Sequence, residues 1–451
     1  METTGNEQSD VPDHRRNGEV GASSPFTRRS ILRGIVGGVA GVAGVAAAES
    51  LGSGVAHAAT AQDAATPDGN QYATMATQEG PQSIPFYGPY QSGIATPAQT
   101  ASSFVSFDVT AANRAELTDL FRTLTARAAF LTEGGTAPPR SPNSPPADDR
   151  LLGGSVLPDG LTVTMALGAS LFDGRFGLGP RKPAELEPMQ AFAHDNLDPT
   201  ISHGDLLVQL CANHRDTVGH AMLDLLAHTS GGMRIRWRVD GFRFPPRPAG
   251  IPRDWMGFKD GITNPDTSNA ATMNQEVWVQ AGAPEPAWTA GGTYHVVRII
   301  QMALDKWSTV PIEEQERIFG RRKISGAPLY AISPTASDNL DPVYTNDPQG
   351  LLTPLNSHIR LANPQTPQAA ATSAILRRSY QYDRSPDAQG NLDMGHTFCC
   401  FQQHLQTYIA MQTRLENEML VPYISPRGGG YFFAVPGVRD AQDYYARGLL
   451  T

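Results

Sequence analysis

Hydrophobic and polar positions fall into two periods along this chain. Phe104-Val105-Ser106-Phe107-Asp108-Val109 alternates and predicts a strand with one buried face. Leu117, Leu120, Phe121 and Leu124 then recur at helical spacing, so a helix is predicted from about Arg114 to Leu131, capped by Asn113. Leu161–Leu167 and Leu206–Ala212 read as strands, the segment from Asp216 to His228 as a helix, and Met233–Val239 as a strand with Ile235, Trp237 and Val239 on one face. The order strand, helix, strand, strand, helix, strand is the split βαβ pattern of a ferredoxin-like module. A similar series follows: a strand over Thr293–Met302, a helix over Ile312–Phe319, a strand over Thr397–Gln402, a helix from about Gln406 to Leu420 and a strand over Gly430–Val435. The expectation is an α+β protein of two such modules with antiparallel sheets, meeting near residues 240–256.

Composition narrows this picture. The chain has 451 residues, 44 of them Gly and 36 Pro, and only 18% are charged. Hydrophobic residues at 40% argue against disorder over most of the length. The Gly and Pro excess then belongs to ordered loops, one of which, residues 134–149, holds five prolines. No 20–50-residue repeat is seen, which disfavours a solenoid or propeller. The net charge of -9, with no long Lys/Arg run, disfavours nucleic acid or an anionic membrane as partner. Three cysteines, Cys211, Cys399 and Cys400, are too few for a disulfide scaffold and lack CxxC spacing; buried thiols are expected.

The first 58 residues read as an address. Thr27-Arg28-Arg29-Ser30-Ile31-Leu32-Arg33 precedes the uncharged stretch Gly34–Ala48, and Ala56-His57-Ala58 fits a cleavage site. The pattern is similar to a twin-arginine export signal. Gly34–Ala48 is shorter than the ~20 residues a membrane span needs, so no span is expected after its removal. Residues 59–82 read as a linker, 83–245 as the N-terminal module and 246–451 as the C-terminal module. Twin-arginine export carries folded, often cofactor-loaded proteins, which points to a cofactor enzyme in a periplasm or outside the cell.

Three clusters carry candidate chemistry. Trp255-Met256-Gly257-Phe258-Lys259-Asp260-Gly261-Ile262-Thr263-Asn264-Pro265 holds an acid between two glycines, suited to a proton shuttle, although Asp-Gly is also an ordinary turn. Asn356-Ser357-His358-Ile359-Arg360-Leu361-Ala362-Asn363-Pro364 presents a histidine able to ligate iron, act as a base or serve structurally. Ile375-Leu376-Arg377-Arg378-Ser379-Tyr380 follows it. Ser425-Pro426-Arg427-Gly428-Gly429-Gly430-Tyr431-Phe432-Phe433 reads as a tight turn entering a strand.

In this order, and with Gly93-Ile94-Ala95-Thr96-Pro97, the YHVVRIIQM run of Tyr294–Met302 and the segment Gly320–Leu329, these clusters resemble the dye-decolorizing (DyP-type) haem peroxidases. Within them the resemblance is to an exported subgroup associated with iron uptake, and it runs from about Tyr87 to Leu449. It implies two ferredoxin-like modules, a dimeric α+β barrel-like arrangement, and one haem b per subunit in the C-terminal module. Asp260 matches the distal acid, His358 the axial ligand of the haem iron, and Arg377 the distal arginine, with Arg378 as the competing assignment. Arg360 and Asn264 become candidate haem-propionate or pocket-lining contacts, and Glu418 or Glu416 the acid behind His358. Trp255, Trp278, Trp307 and Tyr431 are candidate electron relays, core packing being the default for each. Ser379 stands where the subgroup commonly has Gly, Cys399-Cys400 where it is apolar, and Gln403-His404 where Arg-Asp is expected.

The implied activity is reduction of hydrogen peroxide with one-electron oxidation of phenolic, dye-like or other small reductants. Two alternatives stay open: deferrochelatase activity, which releases iron from haem and leaves the porphyrin intact, and non-catalytic haem binding or delivery. A homo-oligomer and an iron-uptake partner are further candidates.

Overall fold

The computed structural model describes residues 82–451, apart from 145, 248, 334, 371, 388 and 389. The export-signal reading, and all but the last residue of the linker, lie outside the described residues.

Nine strands build the sheet: β1 (Ala101–Val109), β2 (Thr162–Gly168), β3 (Leu206–Ala212), β4 (Met233–Phe242), β5 (Thr293–Met302), β6 (Leu376–Arg377), β7 (Tyr380–Asp383), β8 (Met394–Gln402) and β9 (Ile424–Ala434). Five helices matter to the site and its frame: α1 (Arg114–Glu133), α2 (Arg215–His228), α3 (Ile312–Phe319), α4 (His358–Ala362) and α5 (Leu405–Leu415). In the first half the antiparallel order is β4-β1-β3-β2, and in the second β9-β5-β8 with β6 and β7 together along the far side of β8. Both are the ferredoxin-like order. The modules join twice, through β2–β9 (Ala166 opposite Ala434) and β4–β7 (Phe242 opposite Gln381). Because β5 pairs with both β8 and β9, the strands close into a barrel, which removes exposed sheet edges.

Local sequence explains the first module. The Asn113 side chain accepts from Glu116 N–H at 3.0 Å, and Glu116 Oε2 accepts from Ala112 N–H at 2.8 Å. This reciprocal cap contributes about 1 kcal/mol to helix α1. The predicted stripe Leu117, Leu120, Phe121 and Leu124 is buried against β-strand residues such as Val105, Phe107 and Val163. Strands β1, β2 and β3 are buried on both faces, so β1 lacks the exposed face its alternation predicted, and on β4 Trp237 and Val239 are buried while Ile235 is exposed.

Three further features differ from the sequence reading. Leu376–Arg377 and Tyr380–Asp383 are strands although their run is too short and interrupted to read as one; pairing with β8 decides them. Helix α5 stops at Leu415 rather than near Leu420, where the chain turns and Met419 N–H reaches Asn356 O at 3.1 Å. The triple glycine is no entry turn: it lies inside β9. Gly429 has φ +113, and a Cβ there would sit 2.0 Å from Val297 O; one on Gly428 would sit 2.3 Å from Ile201 O. Glycine is needed because the backbones of β5 and of Pro199–Ile201 press on this strand from two sides.

Polar side chains are buried in the barrel beside apolar ones. Arg378, 3% exposed, donates to Gly93 O at 2.7 Å and to Gln99 Oε1. Cys399 lies 3.2 Å from His295 Nε2, and all three cysteines are buried free thiols.

Candidate active site

A cavity of about 280 Å³ opens among the elements of the second module. Its floor and walls come from the Asp254–Thr263 loop, β5, β6, β8, α3, α4, α5 and the residues after α5. Large apolar side chains line much of it, among them Met256, Phe258, Phe319, Phe398, Met411 and Leu415.

His358 opens helix α4, directly after the Ser357 cap. Its Nδ1 lies 2.5 Å from Glu418 Oε2, and that carboxylate is only 4% exposed. Glu416, the other candidate, instead accepts from Ala193 N–H at 3.3 Å. The pairing leaves Nε2 for the cavity. The 30% of the His358 side chain that is exposed belongs to a cavity-lining residue, so it does not dilute the pairing with Glu418. Burial works to lower the His358 pKa, but the charge and hydrogen bond of Glu418 outweigh it and raise the imidazole above its ordinary value.

Asp260 sits on a small hairpin held by Asp254 N–H to Phe258 O at 2.8 Å and Asp260 N–H to Pro252 O at 3.0 Å. Gly257 (φ +86) and Gly261 (φ +104) adopt backbone conformations open mainly to glycine, which accounts for the spacing of this motif. The turn brings Asp254, Met256, Phe258 and Asp260 to the cavity, together with Lys259 and the residues through Thr263. Arg377 Nη1 stands 3.6 Å from Asp260 Oδ1, and His396 Nε2 stands 3.6 Å from Oδ2. Burial pushes the Asp260 carboxyl up, yet His396, Arg377 and Arg243 together hold it below the usual carboxylate range. Asp254 has the opposite fate: burial, then the charge of Asp260, push it up to about 7.

Arg377 lines the cavity, whereas Arg378, the next residue, is turned into the barrel interior. Asn264 does not line the cavity. Its amide clasps the Arg377 backbone, accepting from N–H at 3.0 Å and donating to C=O at 2.8 Å, while Arg377 Nη2 donates to Thr263 O at 2.9 Å. Arg360 also lies away from the cavity. It donates to Thr353 O and Asp347 O, both at 2.8 Å, lies 3.3 Å from Asp347 Oδ2 and covers the Tyr344 ring. The expected pocket contact is thus a brace for the 347–353 loop; one helical position after a cavity residue and its neighbour, its side chain leaves on the other face.

Of the aromatic candidates, Trp278 stacks on Tyr90 and Trp255 packs edge-on against Phe244. Tyr431 is buried against Tyr408. Trp307 connects to His358 through Phe319, with ring separations of 5.8 and 5.9 Å, and reaches half-buried Tyr423 at 5.1 Å.

The sequence reading did not single out Arg298, Asp254, His396 or Gln381 as site residues. Arg298, 1% exposed, pairs with Asp195 and lines the cavity, while its Nε and Nη1 have no hydrogen-bond partner among the described residues. Only its place inside the quoted YHVVRIIQM run could have drawn notice. The donor set fits haem: apolar walls for a flat macrocycle, one imidazole nitrogen for iron, and a buried guanidinium with spare donors for a carboxylate.

A barrel of two ferredoxin-like modules, with an imidazole–carboxylate pair and an Asp–Arg pair sharing one apolar cavity, defines a haem-dependent oxidoreductase class. Comparison with known families agrees. The Dyp-type peroxidase N-terminal model matches residues 91–243 and the C-terminal model matches residues 251–439. A deferrochelatase of Escherichia coli O6:K15:H31 is 44% identical over 438 residues, covering 96% of this chain and 98% of the relative. The deferrochelatase of Escherichia coli K12 is 46% identical over 402 residues, 88% and 92% of the two chains. Among solved structures, ferric DtpA from Streptomyces lividans superposes with TM-score 0.73 at 32% identity, covering 82% of this chain and 97% of that one. A DyP-type peroxidase from Cellulomonas bogoriensis gives 0.72 at 31%, covering 82% and 99%. This chain belongs to the Dyp-type peroxidase family, a family of haem enzymes that turn over hydrogen peroxide.

Proposed function

We propose that His358, backed by Glu418, is the axial ligand of the haem iron, with Asp260 as the distal acid–base and Arg377 as the distal cation. The observation that carries this reading is the Asp260–Arg377 pair at 3.6 Å on the wall of the cavity that also takes His358. Haem held by His358 would supply the iron centre for peroxide reduction and for one-electron oxidation of small reductants. Asp260, ionised above the acid range, takes a proton from the near peroxide oxygen and returns it to the far one, which leaves as water. Arg377 meets the negative charge that develops as the O–O bond breaks. Asn264 positions Arg377 by holding both of its backbone polar groups. Electrons from reductants too large for the cavity enter through Tyr423 and Trp307; equal dye and small-reductant losses in Trp307→Phe would sink that route. The test of the central reading is the haem absorption spectrum: His358→Ala should lose the histidine-ligated Soret band, and an unaltered band would overturn the ligand assignment.

A second reading is favoured by the names of the 44–46% identical relatives. It is deferrochelatase activity in the same cavity, with an iron-uptake protein as partner. Free protoporphyrin should then accumulate when the protein is incubated with haem and a reductant; none forming would exclude it. Pure haem storage or delivery is disfavoured, since it needs His358 but neither Asp260 nor Arg377.

The export reading rests on the Arg28-Arg29 pair and the uncharged stretch after it. Among the described residues, no helix is long and apolar enough to cross a membrane. Arg28→Lys with Arg29→Lys should leave the protein in the cytoplasm, and unchanged export would refute the twin-arginine route to periplasm or medium. A homo-oligomer is part of the same reading, checked by light scattering of the haem-loaded chain.

A further inference from the structure

The distal acid has a second neighbour with no role in the family resemblance. His396 on β8 and Gln381 on β7 are directly opposite in the strand register, and their side chains meet across it. Trp255 N–H donates to Gln381 Oε1 at 3.3 Å, and a backbone N–H can only donate. That contact orients the amide, so the Gln381 nitrogen is the atom 2.9 Å from His396 Nδ1. An amide nitrogen also only donates, so Nδ1 accepts and the ring proton sits on Nε2. Nε2 is the atom that faces Asp260 Oδ2 at 3.6 Å.

We propose that His396 is a further distal residue: a neutral imidazole, held as the Nε2–H tautomer by Gln381, that donates to Asp260 and keeps it an ionised base. It moves no proton itself. The proposal rests on the reading of Asp260 as the distal base.

The setting agrees. Asp260 is flanked on one oxygen by Arg377 and on the other by His396, each 3.6 Å away. That distance exceeds a hydrogen bond, but catalytic contacts commonly tighten when substrate binds, or take a bridging water. The charged or titratable groups acting on His396 are Asp260, Arg377, Arg243 and His358. Burial, then Arg377 and Arg243 against the pull of Asp260, hold His396 below its ordinary pKa, so it stays neutral near neutral pH. A neutral donor suits the place: it steadies the carboxylate without bringing another buried cation beside Arg377 and Arg243.

The experiment uses the full haem-loaded chain and two readouts. One is the acid limb of kcat/KM for hydrogen peroxide. The other is the pH dependence of equilibrium cyanide affinity, since cyanide arrives as its acid and leaves a proton on the distal base. In His396→Leu both midpoints should move up by about one pH unit. In His396→Gln, which restores an N–H donor, they should return most of the way. If His396→Leu does not load haem, Gln381→Leu frees the tautomer and should shift both midpoints upward by less. A midpoint that stays put in either readout, or a Gln variant that behaves like Leu, overturns the proposal. Asp260→Asn separates the two layers: if it leaves the acid limb in place, the reading of Asp260 fails; if it removes the limb while the His396 variants do not shift it, only the inference about His396 fails.

Discussion

Replacing Glu418 with glutamine removes one negative charge beside His358 and leaves the shape almost unchanged. The wild-type contact is 2.5 Å long and its carboxylate is 4% exposed, so solvent does little to screen it. A charge-assisted hydrogen bond is worth about 1.5–3 kcal/mol against about 0.5–1.5 for a neutral one. The loss is therefore on the order of 1.4 kcal/mol. A carboxylate on Nδ1 makes the ligating nitrogen more basic, which favours ferric over ferrous iron. Removing it should raise the midpoint potential of the haem-loaded protein by about 60 mV, the one-electron equivalent of that energy. Haem retention should weaken by about 10- to 100-fold, the usual cost of losing a partner behind a metal ligand. A spectroelectrochemical titration of Glu418→Gln beside wild type measures the first, and haem transfer to apomyoglobin the second. A midpoint equal to wild type, with the Soret band in place, would refute the coupling of Glu418 to the iron through His358.

Four further outcomes follow from the same geometry. Asp260→Asn should lower kcat/KM for peroxide by about 10²–10⁴-fold with haem still bound, and Arg377→Leu by about 10²–10³-fold. Arg360→Leu should cost about 2 kcal/mol in urea unfolding, because Asp347 and the Thr353 carbonyl lose a buried donor, while peroxide turnover stays near wild type; a large loss of turnover would return Arg360 to the cavity. Asp254 binds a proton in the folded state up to about pH 7, whereas the unfolded chain releases it near 4. The folded state then holds more protons across that window, so Asp254 makes stability fall as pH rises from about 4 to 7. Asp254→Asn should flatten that fall in urea melts run across the window, and an unchanged slope would assign the pH dependence elsewhere.

By itself the sequence determined what depends on near neighbours and on recurring motifs. The strand character of β1 and β4, the Leu117–Leu124 stripe and the Asn113 cap are local, and the two-module order follows from them, although the burial of both faces of β1 does not. The glycine-flanked Asp260, His358 and Arg377 could be named from their clusters, and the structure brings all three to one cavity. Tertiary structure decided the rest. Leu376–Asp383 has too few residues to show a period, so only β8 makes it strand. Arg360 and His358 are two residues apart on one short helix, yet one faces Asp347 and the other the cavity. Glu418 and Glu416 look alike in sequence, and the early end of α5 chooses between them. His396 and Gln381 are fifteen residues apart and meet through the register of the β7–β8 hairpin, while the approach of His396 to Asp260 exists only once the Asp254–Thr263 loop has packed against it. Propensity and capping act over a few residues, and sequence shows them. Which buried polar group meets which across a closed sheet depends on register and closure, which belong to the whole fold.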